Sequence, residues 1–267
     1  MKLSDIHTHT VFSDGTESAE EMVRAAMQMG FGAIGISDHS YTAHDLRYCI
    51  PRAHQQAYLA ELARLKAKYA DRIEVYIGLE YDGTTELADR DRYDYVIGDC
   101  HYVKTFDGYH SVDHAREEQR AAIETYFDGN TLAYAQAYFE TYLACTRLHR
   151  PDVLGHFDLA AKFGYPDETD ARYRSIAAET LLECLKVTPI VELNTGAISR
   201  KIRTVPYPRE FLLREILLHG GKITLSSDAH RSMHIGFGFH DALELLRHIG
   251  FSEIVVLQGG AFREVGI

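Results

Sequence analysis

The apolar positions of the chain fall into short runs, each closed by polar and often ionisable residues. Residues 2–6 read as a strand, and with a period of two His7 and His9 beyond it point to the same side. The stretches between such runs carry apolar residues at the 3.6 period of a helix. The first covers residues 19–29, with Ser18 placed to cap it, Glu20 and Glu21 in its first turn and Gly30 at its end. Residues 31–37 form a second strand that runs into Asp38 and His39. A looser segment, 40–52, precedes a helix over 53–69 whose Tyr58, Leu62, Leu65 and Tyr69 share a face. A third strand, 73–79, stops at Glu80, and a fourth, 95–98, stops near His101. The section 104–150 is polar, with helices around 114–127 and 132–148. Strands over 153–155, 190–193 and 222–225 lead to His156, to Asn194 and to Asp228 with His230. Helices over 171–186, 208–219 and 240–249 separate them, Pro208 being suited to a first helical position. A strand-like run over 253–258 comes last.

Alternation this regular implies parallel strands joined by crossover helices. No Gly-x-Gly-x-x-Gly opens a helix after the first strand, which disfavours a dinucleotide fold. Metal-type residues at the C-terminal ends of successive strands suggest a barrel whose active face is that end. There is no linker, repeat or low-complexity segment, so residues 1–267 read as a single domain.

Composition narrows the class. The chain has 267 residues, 46% of them apolar, enough for one barrel-sized core. It shows no signal-peptide pattern and no apolar run of spanning length, so a soluble, cytoplasmic protein is expected. Four scattered cysteines without a Cys-x-x-Cys argue against a disulfide framework or a zinc ribbon. A net charge of -11 disfavours nucleic acid and anionic membrane as partners, but not a small phosphorylated substrate, because bound cations reverse the sign locally. The oligomeric state is left open. The 15 histidines are the unusual feature.

The strand-end residues are His7, His9, Asp14, Asp38, His39, Glu80, His101, His156, Asn194, Asp228 and His230. Imidazole and carboxylate donors without cysteine suit zinc, manganese or iron. Six histidines are too many for one tetrahedral ion with an open position, and the carboxylates allow bridging, so two or three ions are indicated. Such a cluster lowers the pKa of a shared water and clamps a phosphoryl group. Taken singly, His101 reads equally as a hydrogen-bonded core histidine, Asn194 better as a structural amide, and Asp38 as a carboxylate that orients a neighbour. His54, His110, His114, His149, His219, His240 and His248 read as surface or cap residues.

The order His-x-His, Ser-Asp, Asp-His, Gly-x-Glu, His, Gly-His, Asp-x-His resembles the PHP (polymerase and histidinol phosphatase) family over essentially the whole chain. The resemblance implies a distorted (β/α)7 barrel with three divalent metal ions. It implies one ion at His7, His9, Glu80 and Asp228, a second at Asp14, His39 and His230, and a third at Glu80, His101 and His156, with Glu80 bridging. The segments Gly155-His156-Phe157-Asp158-Leu159 and Glu192-Leu193-Asn194-Thr195 resemble the stand-alone histidinol-phosphate phosphatases. That implies hydrolysis of L-histidinol phosphate to L-histidinol and phosphate in histidine biosynthesis. Phe157 and Gly196-Ala197-Ile198 depart from the family wording and are expected to flank the pocket. The alternatives are a family member acting on another small phosphate ester or a cyclic phosphodiester, and a non-catalytic metal-binding module.

On this reading Asp228 and His230 are also expected to carry the proton to the leaving alkoxide. Lys162 and Arg200 are expected at the phosphate, and His44 at either end of the substrate. Asp45, Asp107, Asp113 and Asp158, with Tyr41 and Tyr102, are candidates for the amine end.

Overall fold

The computed structural model describes residues 2–84, 87 and 89–267. Along the chain run β1 (Ser4–Asp5), α1 (Ala19–Gln28), β2 (Ala33–Ile36), α2 (Gln55–Tyr69), β3 (Glu74–Ile77), β4 (Glu80–Tyr81), β5 (Ile97–Gly98), β6 (Tyr102–Thr105) and β7 (Gly108–Ser111). Then come α3 (Arg116–Phe127), α4 (Thr131–His149), β8 (Val153–Leu154), α5 (Ala171–Leu185), β9 (Ile190–Asn194), α6 (Gly196–Ser199) and α7 (Glu210–Leu218). The chain closes with β10 (Lys222–Ser226), α8 (Phe239–Ile249), β11 (Glu253–Gln258) and β12 (Ala261–Gly266).

One parallel sheet has the order β1-β2-β3, and another runs β4-β5-β8-β9-β10-β11 with β12 antiparallel at its edge. Two isolated parallel bridges stitch the sheets into a ring, His39 to Glu80 and Thr8 to Ala229. With β3 and β4 as successive pieces of one stave, the ring has seven staves. The expected distorted seven-stranded barrel is what the chain forms. Both stitches lie past the C-terminal ends of the strands, on or beside the candidate metal residues.

Local sequence explains the main elements. Ser18 and Glu21 form a capping box at the start of α1, each satisfying the other's backbone N–H. Asp5 fastens β1 to the segment after β10. It accepts hydrogen bonds from Gly236 N at 2.9 Å, from Ser227 N at 3.2 Å and from the Ser227 hydroxyl. Tyr95 is fully buried and donates its hydroxyl to Ile6 O. Its ring fits because Gly35 and Gly78 carry no side chain: a Cβ at Gly35 would stand 2.0 Å from Tyr95 Oη. Larger apolar clusters surround this centre, one including Tyr138, Phe139, Leu181, Leu212 and Leu246, the other including Met22, Tyr58 and Leu62. Among the described residues, no helix is long and apolar enough to cross a membrane.

The structure departs from the expected elements at two hairpins and at Pro208, and adds the short helix α6. The segment after His101 is a hairpin, β6–β7, turning on Phe106-Asp107 with Gly108 opening β7, a short signal that helical periodicity further along masks. A second hairpin, β11–β12, turns on Gly259-Gly260, both at positive φ. Pro208 is not a first helical residue: it follows a cis peptide bond to Tyr207, and α7 starts at Glu210.

Gly35→Ala is expected to destabilise the protein by about 1–3 kcal/mol, the range for overpacking a tight core. The check is a thermal melt, and an unchanged Tm would mean that the Tyr95 ring is not wedged at this position.

Candidate metal centre

Glu80, at the start of β4, is the point on which the histidines converge. Its Oε2 lies 2.7 Å from His39 Nδ1, 3.3 Å from His7 Nε2 and 3.4 Å from His9 Nε2. Its Oε1 lies 2.9 Å from His156 Nε2 and 3.5 Å from His101 Nε2. Asp228 Oδ1 is 3.3 Å from His9 Nε2 and 4.0 Å from His7 Nε2. Asp14 is 3.1 Å from His230 Nε2 and 3.7 Å from both His39 Nε2 and His9 Nδ1. All nine expected ligands are therefore brought together. His9 and His39 each touch two of the expected groups.

The backbone holds them there with some strain. Asp228 sits at φ 50°, an unfavourable region for a residue with a Cβ. Gly196 lies against it, where a Cβ would be 2.7 Å from Asp228 Cβ and Oδ2, so the departure from the family wording at 196 keeps the one residue that leaves room.

The charges suit cations. Burial, then the neighbouring His230 and His39, push His9 down to about 3, which leaves its ring neutral with a lone pair to donate. Burial works against ionised Glu80, but His39, His7 and His101 outweigh it and hold the carboxyl well below the usual range. Asp228 is likewise held low against burial, chiefly by Arg200. Among the described residues, His7 Nε2, both His9 ring nitrogens, His39 Nδ1 and Glu80 Oε2 are buried without a hydrogen-bond partner. Each such atom costs about 1–3 kcal/mol if nothing satisfies it. Divalent ions would satisfy all of them, so the residues fit a centre of several divalent metals.

A further layer was not legible from strand ends. Glu192 accepts from His7 Nδ1 at 2.8 Å, from His156 N at 2.7 Å and from Asn194 Nδ2 at 2.9 Å. Asp82 accepts from His101 N and Nδ1, both at 2.9 Å, and from the Tyr48 hydroxyl at 2.7 Å. The available signal was the strand period: Glu192 stands two residues before Asn194, and Asp82 two after Glu80. Asp38 does orient a neighbour, but the neighbour is a turn. It accepts from Thr10 N and Oγ1 at 2.8 Å and from the Ser13 hydroxyl, and so fixes the loop that carries Asp14. Asn194 is a structural amide, accepting from Gly196 N at 2.8 Å.

A cleft of about 290 Å³ opens over the cluster. Lys162 and Arg200 line it, each already paired: Lys162 Nζ with Asp113 at 2.9 Å, and Arg200 Nη2 with Asp228 at 2.9 Å. Asp45, Tyr48 and Asp113 line it too. His44 is a correction: it is not in the lining, because its ring stacks on Tyr109 with centroids 5.0 Å apart and meets Tyr102 edge-on. His114, read as a surface or cap residue, lies in the lining, near Arg47 and Glu118. Phe157 turns into the core against Phe139 and Tyr142 and does not flank the pocket. Asp158 is buried and accepts from Arg209 N, and Asp107 is bound within the hairpin, so neither lines the cleft.

Comparison with known proteins bears on the family and the fold. The PHP domain matches residues 5–196. The chain is 25% identical to the histidinol-phosphatase of Lactococcus lactis, over 97% of this chain and 96% of that one. It is 27% identical to a "Probable histidinol-phosphatase" of Deinococcus radiodurans, over 93% and 94%. Two solved structures share the fold. The HisK protein of Listeria monocytogenes has a TM-score of 0.77 at 21% identity, covering 89% of this chain and 99% of that one. The Lactococcus lactis histidinol phosphate phosphatase, complexed with zinc, L-histidinol and phosphate, has a TM-score of 0.69 at 22% identity, covering 98% and 99%. With the matched domain spanning most of its length and the converging donors on the rim of the barrel, the chain belongs to the PHP domain family.

Proposed function

We propose that residues 1–267 act as one unit, a metal-dependent phosphomonoesterase that hydrolyses L-histidinol phosphate to L-histidinol and phosphate, a step of histidine biosynthesis. The observation that carries this reading is the division of the cleft. Its floor is the donor cluster with Arg200 and Lys162 beside it, which suits a phosphate dianion, and its wall offers Asp45, Asp113 and Tyr48, which suit a cationic, aromatic end. The relatives named above support the same substrate.

His7, His9, Glu80 and Asp228 would hold one ion, Asp14, His39 and His230 a second, and Glu80, His101 and His156 a third. When bound, such ions polarise the phosphoryl oxygens and lower the pKa of a water for in-line attack. The chain's own cations do the rest of the holding. Arg200 and Lys162 turn donors towards the non-bridging oxygens, sharing them with Asp228 and Asp113. Asp228 and His230 face the cleft as the groups that pass a proton to the leaving oxygen. Arg200 keeps Asp228 ionised, so His230 is assigned the larger share.

Elemental analysis of protein purified without chelator should find two to three equivalents of zinc, manganese or iron. Less than one, with no gain on adding metal, would remove the cluster. Glu80→Gln should keep the fold and lose turnover by several orders of magnitude, because an amide brings no charge to bridge two cations; near wild-type rates would take Glu80 out of the centre. The substrate is checked by side-by-side assays with manganese or zinc. Histidinol phosphate should exceed a generic aryl phosphate by about a hundredfold in kcat/KM, since the substrate ammonium gains acidic partners at the wall that an analogue without it does not. Equal rates, or a preference for a sugar phosphate or cyclic nucleotide, would discard this substrate and keep the phosphoesterase.

A further inference from the structure

Three of the histidines that meet Glu80 with Nε2 turn Nδ1 towards a second buried carboxylate. His7 faces Glu192 at 2.8 Å, His101 faces Asp82 at 2.9 Å and His156 faces Asp99 at 3.0 Å. Glu192 and Asp82 have other partners that would explain their presence: a backbone N–H each, and Asn194 or Tyr48. Asp99 has none. Its side chain is fully buried, and among the described residues neither oxygen has an aligned hydrogen-bond donor. A carboxylate in that condition opposes folding unless a positive charge accompanies it. The neighbouring strand end is nonetheless shaped to admit it: a Cβ at Gly155 would stand 2.1 Å from Asp99 Oδ1. His7, Glu80, Asp99 and His156 each bring a donor atom within 4.8 Å of the others.

We propose that Asp99 is a positioning residue of the metal centre, holding His156 with its proton on Nδ1 and its Nε2 lone pair turned to Glu80. It also adds negative charge beneath the ion that His156 and Glu80 would share. The inference rests on the multi-ion reading given above. A histidine that donates its outer N–H to a carboxylate is the more basic at its inner nitrogen, and loss of such a partner weakens metal affinity by about 10–100-fold. A carboxylate kept only for packing would be capped by donors, as Asp38 is; this one has no such donors among the described residues and lies 3.0 Å from His156 Nδ1.

The test compares wild type with Asp99→Asn, which keeps the shape and removes the charge, and with Asp99→Ser as a smaller second variant. Each is melted after chelator treatment and again after loading with zinc or manganese, and bound metal is measured across a chelator titration. Without metal, Asp99→Asn should melt close to wild type, because neither oxygen of Asp99 has a hydrogen-bond donor to lose. Its gain in Tm on loading should shrink, and its metal retention should fall by about 10–100-fold. Asp99→Ser should lose retention to the same degree. Wild-type retention in both variants, whether or not Tm drops equally with and without metal, would overturn the proposal and leave Asp99 a packing residue. A wild-type chain that melts alike with and without metal gives a different result: it removes the multi-ion centre itself, and this role with it.

Discussion

Five imidazole rings reach the two oxygens of one carboxylate, Glu80, at 2.7 to 3.5 Å. That convergence constrains everything around it. The rings come from four staves of the barrel, so those staves must end at one level and lean inwards. The path through β3 and β4 is broken just before Glu80, and β4 leaves the sheet of β1–β3 for that of β5. Past the strand ends, the two sheets are stitched by the bridge from His39 to Glu80 and the bridge from Thr8 to Ala229. The distortion of the barrel and the assembly of the centre are one geometric fact.

The supporting polar groups follow the same logic. A buried carboxylate needs donors, and Asp38, Asp5 and Glu192 are each spent on a particular segment. Asp38 freezes the turn that presents Asp14, Asp5 ties the first stave to the segment bearing Asp228 and His230, and Glu192 reaches two histidines from β9. Strain is kept where the donors are, with Asp228 at positive φ and Gly196 cut back beneath it.

Much of this was legible in the sequence because the signals were of two strong kinds. Strand–helix alternation with ligand-type residues at strand ends gives a barrel and its active face, and histidines paired with acids in a fixed order give the cluster. What was not legible depended on which side chain turns which way after the strand ends. Asp82, Asp99 and Glu192 look like ordinary acids until their neighbours are known. His44 lies in a loop that faces the cleft, yet aromatic packing on Tyr109 and Tyr102 draws its ring aside. Phe157 follows His156 directly, and in the turn beyond β8 its ring packs into the core against Phe139 and Tyr142. The two hairpins were passed over because Asp107-Gly108 and Gly259-Gly260 are short signals beside long helical ones.

The tie between Asp5 and Ser227 joins residues 222 positions apart, and the same two segments bring His7 and His9 to Asp228 and His230. Contacts of such long range carry a high loop-closure cost. During synthesis the first stave must wait, its histidines exposed, until β10 has emerged and can close the ring. The nascent chain therefore passes through a stage in which His7 and His9 have emerged before Asp228 and His230 are made. Which ion first meets those two imidazoles is then a question of timing and supply as much as of the finished geometry.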